Sequence, residues 1–331
     1  MRVMARIRVL ATGGTIAGHA PSATDTSYHP AGLSVADLIG AVSGLKQLGD
    51  VTGEQVAQIA SQDMNDAHWL ELAARVNVLF ARDEADGVVI THGTDSLEET
   101  AYFLHLVVKS DRPVVLTGSM RPATSLSPDG PLNLYNAVAV AADPGARGRG
   151  AIVVLNDDLH SALDVTKSHT TDVQAFVSPG PGLLGTASYG RIRYFRRPAR
   201  RHTTESEFSV ADLSVLPRVD IVYAHAGMST DLVKASVDLG ARGLVVAGMG
   251  NGNVTREAVA ALREAVQRGV VVVRSTRLVS GDVGRNVELD DDALGFVAAD
   301  QLNPQKSRVL LKLCLTRSPD PSFAQERFYL Y

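Results

Sequence analysis

The chain has one cysteine, Cys314, among 331 residues, so no disulfide can form within it. The thiol sits in the apolar run Val309 to Leu315 and is expected to be a small core residue, not a nucleophile. The nine histidines form no H-x-x-x-H pair and no Cys/His cluster, so no metal site is expected. A net charge of -4 carries no excess of either sign that would ask for a nucleic-acid or membrane partner. No apolar stretch approaches the ~20 residues of a membrane-spanning helix. Arg2, Arg6 and Arg8 break up the apolar residues near the start, so no continuous leader core is read there. A cytoplasmic protein is the expectation, with an exported protein whose leader has been removed as the alternative. Neither repeats nor low-complexity segments are visible. At 45% hydrophobic and 21% charged, the chain can bury real cores as one large domain or two ordinary ones.

What is present in the first half is alternation. Strands are predicted at Arg6 to Ala11, Gln55 to Ala60, Gly87 to Thr91, Pro113 to Thr117 and Ala151 to Leu155. Helices fall between them, at about 66–82, 95–109 and 131–142. In the second of these, Leu97, Ala101, Leu104 and Val108 repeat at helical spacing, and Asp95 and Glu98 have the spacing of a capping box. Such alternation implies a doubly wound, mainly parallel α/β sheet with helices on both faces. Ligands of such sheets bind beyond the carboxyl ends of the strands.

The character changes from Tyr189 to Leu216, where a basic stretch gives way to Ser, Thr and Glu. Residues 199–218 read as a linker between an N-terminal domain, 1–198, and a smaller C-terminal α/β domain, 219–331. The run Arg191, Arg193, Arg196, Arg197, Arg200 and Arg201 lacks a Gly-rich or aromatic nucleic-acid signature and reads as a solvated or interface-bridging surface. Beyond it come strands at Val219 to Ala224, Gly243 to Ala247 and Val270 to Arg274, with helices near 231–239 and 255–268.

Four polar segments follow predicted strands: Thr12-Gly13-Gly14-Thr15, Ser61-Gln62-Asp63, Thr91-His92-Gly93-Thr94-Asp95 and Thr117-Gly118-Ser119. Taken singly, each reads as turn and cap chemistry. Together at one sheet edge they could bring hydroxyls, a carboxylate and backbone N–H groups together, which is what hydroxyl-based acyl transfer needs. His92, next to Thr94, is either a base or a structural residue of the turn. Two nucleotide-loop readings fall short. Gly13-Gly14-Thr15 lacks the Gly-Lys-Ser/Thr ending of a phosphate loop. Gly248-Met249-Gly250-Asn251-Gly252 has Asn253 where the G-x-G-x-x-G spacing needs glycine.

Longer matches carry a resemblance. Ala11 to Gly18 (Ala-Thr-Gly-Gly-Thr-Ile-Ala-Gly) and His92 to Ala101 (His-Gly-Thr-Asp-Ser-Leu-Glu-Glu-Thr-Ala) resemble the two signatures of the bacterial L-asparaginases. Ser61 to Asp66 resembles their type II branch. Asp164 to Lys167, Gly250 to Asn253 and Leu302 to Lys306 follow in family order, so the resemblance spans nearly the whole chain.

That resemblance implies hydrolysis of L-asparagine to L-aspartate and ammonia through a covalent acyl-threonine, with glutaminase-asparaginase activity as the alternative and no cofactor. It implies Thr15 as nucleophile on a segment that closes over substrate, with Tyr28 bonded to it. Thr94 works with Asp95 and Lys167. Ser61, Gln62 and Asp95 hold the α-carboxylate and α-amino groups. Asn253 and Glu288 reach the site from a neighbouring subunit of a homo-oligomer, expected to be a tetramer of two dimers. A non-catalytic amino-acid sensor is disfavoured by the intact set Thr15, Tyr28, Thr94, Asp95 and Lys167. Three departures stand out: Leu163 where the family often has arginine, His29-Pro30 after Tyr28, and the absence of the cysteine pair of some exported members.

Overall fold

Gly87–Thr91 and Ala151–Leu155 are apolar almost throughout and buried at every position, as in strands covered on both faces. They lie at the centre of an eight-stranded sheet in the computed structural model, which describes residues 4–25, 27–30 and 32–331. Arg2 lies outside the described residues. The strands are β1 (Arg6–Gly13), β2 (Asp50–Ile59), β3 (Gly87–Thr91), β4 (Val114–Thr117), β5 (Ala151–Leu155) and β6 (Asp158–Ser161). A hairpin of β7 (Thr166–Lys167) and β8 (Phe176–Val177) stands apart, and β9 (Gly185–Ser188) and β10 (Arg191–Tyr194) complete the sheet. Its order is β10-β9-β6-β5-β4-β3-β1-β2. The pairs from β2 to β5 are parallel, whereas β5/β6, β6/β9 and β9/β10 are antiparallel.

Alternate strand residues supply two cores. Ile7, Val9, Val89, Val115 and Ile152 pack in one cluster with Leu38 of α1 (Val35–Ala41), Leu45 of α2 (Leu45–Leu48) and Leu134 and Val138 of α5 (Gly130–Ala142). The equally buried Val88, Ile90 and Val153 face the other way, the side of α3 (Asp66–Ala81) and α4 (Leu97–Val107). There Trp69 stacks on Phe103 at 5.2 Å.

The predicted capping box at α4 does not form. Ser96 occupies the cap position with no side-chain cap bond. Asp95 and Glu98 both turn to the β7 segment instead: Asp95 accepts from the Lys167 ammonium, and Glu98 accepts from the Thr166 hydroxyl and the Lys167 amide (below).

The chain folds as two compact units that divide between Leu213 and Ser214. The stretch up to Leu213 is not a bare tether: His202, Thr203, Ser206, Phe208 and Val210 are buried, and Lys109 Nζ donates to Ser206 O at 2.6 Å. Of the basic run, Arg191 and Arg193 are exposed on the edge strand β10, where charge discourages pairing with another chain. Arg196 is committed to Asp164 at 2.5 Å.

The second unit has its own parallel sheet, β11 (Val219–Tyr223), β12 (Gly243–Gly248), β13 (Val271–Thr276) and β14 (Phe296–Ala298), in that order. Val222, Leu244, Val246 and Val272 pack with Val233 of α6 (Asp231–Asp238) and Leu262 of α7 (Arg256–Gln267). The short α8 (Asp291–Leu294) is followed by α9 (Pro304–Leu315) and α10 (Pro321–Leu330). Cys314 on α9 is completely buried, as a core residue should be. Among the described residues no helix is long and apolar enough to cross a membrane.

Candidate active site

The parallel order β2-β1-β3-β4-β5 reverses its winding at β1, so the switch point lies between β1 and β3. The segments leaving these two strands are Thr12 to Thr15 and His92 to Asp95, and they touch. Gly14 has φ +80°, and a Cβ on it would lie 2.2 Å from Gly93 Cα. A Cβ on Gly93 would lie 2.6 Å from Ser61 Oγ. Only glycine permits the two backbones to meet so closely with the Ser61 side chain against them. Gly14 N donates to Ile59 O at 3.0 Å, and Asp95 N donates to Ser61 Oγ at 3.2 Å, so the ends of β1, β2 and β3 form one floor.

Thr15 opens a single 3-10 turn from this floor and is buried. Its Oγ1 lies 2.7 Å from the hydroxyl of Tyr28, which is itself exposed. The Tyr28 ring rests against Gly18, where a Cβ would come within 2.9 Å of it. Backbone bonds between His19 and His29, 2.9 and 3.0 Å, close the segment that carries Tyr28.

Thr94 is buried and accepts a hydrogen bond from Lys167 Nζ at 2.9 Å. The same ammonium donates to Asp95 Oδ1 at 2.6 Å. Lys167 is 16% exposed and Asp95 62%, so the lysine is enclosed and the carboxylate faces solvent. Lys167 is held by Glu98, a buried side chain whose Oε1 accepts from Lys167 N at 3.3 Å and from Thr166 Oγ1 at 3.2 Å. Upstream, Leu163 is buried, and the Asp164 carboxylate beside it draws Arg196 from beyond β10. Sequence reasoning assigned Glu98 to a helix cap. Nothing local to Glu98 pointed to the Lys167 segment, 69 residues on.

His92 is structural. It is fully buried, with Nδ1 2.7 Å from Gly93 O and Nε2 3.0 Å from Thr100 Oγ1. A carbonyl only accepts, so Nδ1 carries the proton and Nε2 receives one from Thr100, whose oxygen accepts from Trp69 Nε1 at 2.9 Å. Burial lowers the imidazole pKa to about 4. The ring is therefore neutral at neutral pH and fixes the Gly93 turn. The segment Thr117-Gly118-Ser119 also serves the scaffold: Thr117 Oγ1 donates to Val154 O at 2.8 Å and Ser119 Oγ to Arg121 O at 2.8 Å.

Ser61 is buried on this floor and Gln62 beside it is exposed. Asn253 and Glu288 lie in the second unit, Asn253 in a turn whose backbone pairs with Met249 and Glu288 on an exposed loop. The glycines before Asn253 accommodate protein atoms: a Cβ on Gly252 would meet Arg274 Nη1 at 2.9 Å.

A threonine–tyrosine pair and a threonine–lysine–aspartate cluster on adjoining segments supply hydroxyls with proton-handling partners, the equipment of an α/β hydrolytic enzyme of the acyl-transfer kind. The family model described as "Asparaginase, N-terminal" matches residues 6–200, and "Glutaminase/Asparaginase C-terminal domain" matches residues 218–328. The chain belongs to the asparaginase family. It is 51% identical to L-asparaginase 2 of Escherichia coli (strain K12) over 98% of this chain and 93% of that protein. It is 46% identical to the glutaminase-asparaginase of Pseudomonas fluorescens biotype A over 99% of this chain and 91% of that protein. The crystal structure of a probable cytoplasmic L-asparaginase from Campylobacter jejuni superposes with TM-score 0.96 at 45% identity, covering 99% of this chain and 100% of that one.

Proposed function

We propose that this enzyme hydrolyses the side-chain amide of L-asparagine to L-aspartate and ammonia, with Thr15 as nucleophile. The observation that carries this reading is the 2.7 Å contact between Thr15 Oγ1 and the Tyr28 hydroxyl at the sheet's switch point. A threonine hydroxyl is a poor nucleophile until its proton has somewhere to go. Tyr28 receives that proton as Thr15 Oγ1 bonds to the amide carbon and relays it to the leaving nitrogen, which departs as ammonia. Water then attacks the β-aspartyl-threonine ester, its hydroxyl joins the acyl carbon, and Thr15 regains a proton. Thr94 draws a proton from that water and passes its own to Lys167 Nζ, 2.9 Å behind it, as Nζ hands one of its protons to Asp95 Oδ1, 2.6 Å away; the same relay run backwards returns the proton to Thr15.

Ser61 accepts Asp95 N at its Oγ and keeps its own hydroxyl proton for the substrate α-carboxylate, with Gln62 beside it. Asp95, solvent-facing, takes the α-ammonium. Asn253 and Glu288 complete the site from a neighbouring subunit, so the active form is a homo-oligomer, a tetramer of two dimers. We place the protein in the cytoplasm; cell fractionation tests that, since a relative in Haemophilus influenzae is named a probable periplasmic L-asparaginase.

A glutaminase-asparaginase is the second reading, favoured by the 46% identical Pseudomonas relative of that name. One methylene is worth only ~1–3 kcal/mol of discrimination. Ammonia release measured with both amides decides: faster kcat/KM on L-asparagine supports the first reading, parity the second, and no release from either ends both.

A further inference from the structure

Arg274 in the middle of β13 and Asp291 at the start of α8 form an ion pair in which both side chains are 0% exposed. Burying two charges is a poor way to gain stability, because desolvation offsets most of the attraction. What the pair does gain is direction. Arg274 Nε donates to Asp291 Oδ1 at 2.6 Å and Nη2 to Oδ2 at 2.7 Å. The remaining N–H groups reach backbone carbonyls: Nη1 to Asn251 O at 3.2 Å and Gly252 O at 3.3 Å, Nη2 to Gly284 O at 3.2 Å. These contacts occupy the full fork of guanidinium donors. Asp291 Oδ2 also accepts from Asn286 N at 2.8 Å, and Asn251 Oδ1 accepts from Gly284 N at 2.9 Å.

Two loops are therefore tied to one buried cation. One ends in Asn253, the residue after Gly252. The other runs from Gly284 to Asp291 and carries Glu288. We infer that Arg274, with Asp291 and Asn251, is a positioning residue that holds Asn253 and Glu288 at a fixed spacing to receive the substrate's amino-acid end. This rests on the assignment of Asn253 and Glu288 to substrate binding. A lysine could neutralise Asp291 but could not reach three carbonyls on two loops as a planar fork does.

The test is steady-state kinetics on the full-length protein with L-asparagine. In the double variant Arg274→Met with Asp291→Leu, apolar groups replace the pair and leave no buried charge unpaired. KM is expected to rise about tenfold or more with kcat within about threefold of wild type, since Thr15, Thr94 and Lys167 are untouched. In a background carrying both Glu288→Ala and Asn253→Ala the same swap should add little, because its effect runs through those two residues. A folded swap with wild-type KM, or a penalty that multiplies in full onto that background, overturns the inference. If the swap does not fold, Asn251→Ala decides: it removes only the tie to Gly284, a raised KM supports the clamp, and an unchanged KM overturns it. Wild-type KM in both Glu288→Ala and Asn253→Ala would instead mean that the assignment of those two residues is wrong.

Discussion

Thr15 and Thr94 leave neighbouring parallel strands, yet their surroundings differ. Thr94 sits among buried groups: His92 and Thr100 beneath it, Ser61 against Gly93, Glu98 holding the lysine's backbone. Thr15 meets its partner through Tyr28, an exposed side chain on a segment closed by the His19–His29 backbone bonds and by Ala20 N donating to Thr124 Oγ1 at 2.8 Å. One hydroxyl is built into the sheet edge; the other depends on a surface segment being in place. The two hydroxyls thus stand on unequal supports, one packed into the sheet edge and one bonded to an exposed tyrosine.

The largest expected effect tests the packed side. Thr94→Val and Lys167→Met should each lower kcat by about 10²–10⁴-fold, and the double variant should be little worse than either single. Losses that multiply would mean the two residues act independently. Next comes the buried support. His92 stays neutral in the fold down to about 4, whereas in the unfolded chain it takes up a proton below its ordinary 6.5. Between those values the unfolded state binds more protons, so stability falls as pH drops, by up to about 3 kcal/mol from this group. Urea unfolding at pH 7.5 and 4.5 should show that loss in wild type and a smaller one in His92→Gln; equal losses would remove His92 from the account. A smaller effect is expected on the surface side. Tyr28→Phe keeps the ring on Gly18 and loses only the hydroxyl, so kcat should fall about 10–100-fold while the melting temperature is unchanged. If the variant keeps full turnover, the Tyr28 relay is wrong.

The central parallel strands were legible because burial on both faces writes them as continuous apolar runs, as in Gly87–Thr91, whereas the half-exposed edge strand β2 was read only from Gln55 onward and the three-residue β14 not at all. The antiparallel strands were not: β6 reads Asp-Leu-His-Ser, and β7 and β8 have two residues each, too short for a period to show. Helices α9 and α10 did carry signals, Asn303 then Pro304 and Asp320 then Pro321, a cap followed by proline in the first turn. The site segments were visible because each follows a strand. The Lys167 support was not, since Glu98 lies 69 residues away and only the β7 hairpin brings the two together. The Arg274–Asp291 clamp was equally hidden: an arginine inside a predicted apolar strand shows neither its burial nor its partners.

The central claim is that Thr15 carries the acyl group. Mass spectrometry of the protein quenched during turnover of a slow asparagine analogue should find the added acyl mass on the peptide containing Thr15. In Thr15→Ala the adduct should vanish along with turnover. An adduct on the Thr94 peptide, or a Thr15→Ala protein that still releases ammonia at the wild-type rate, would contradict the account.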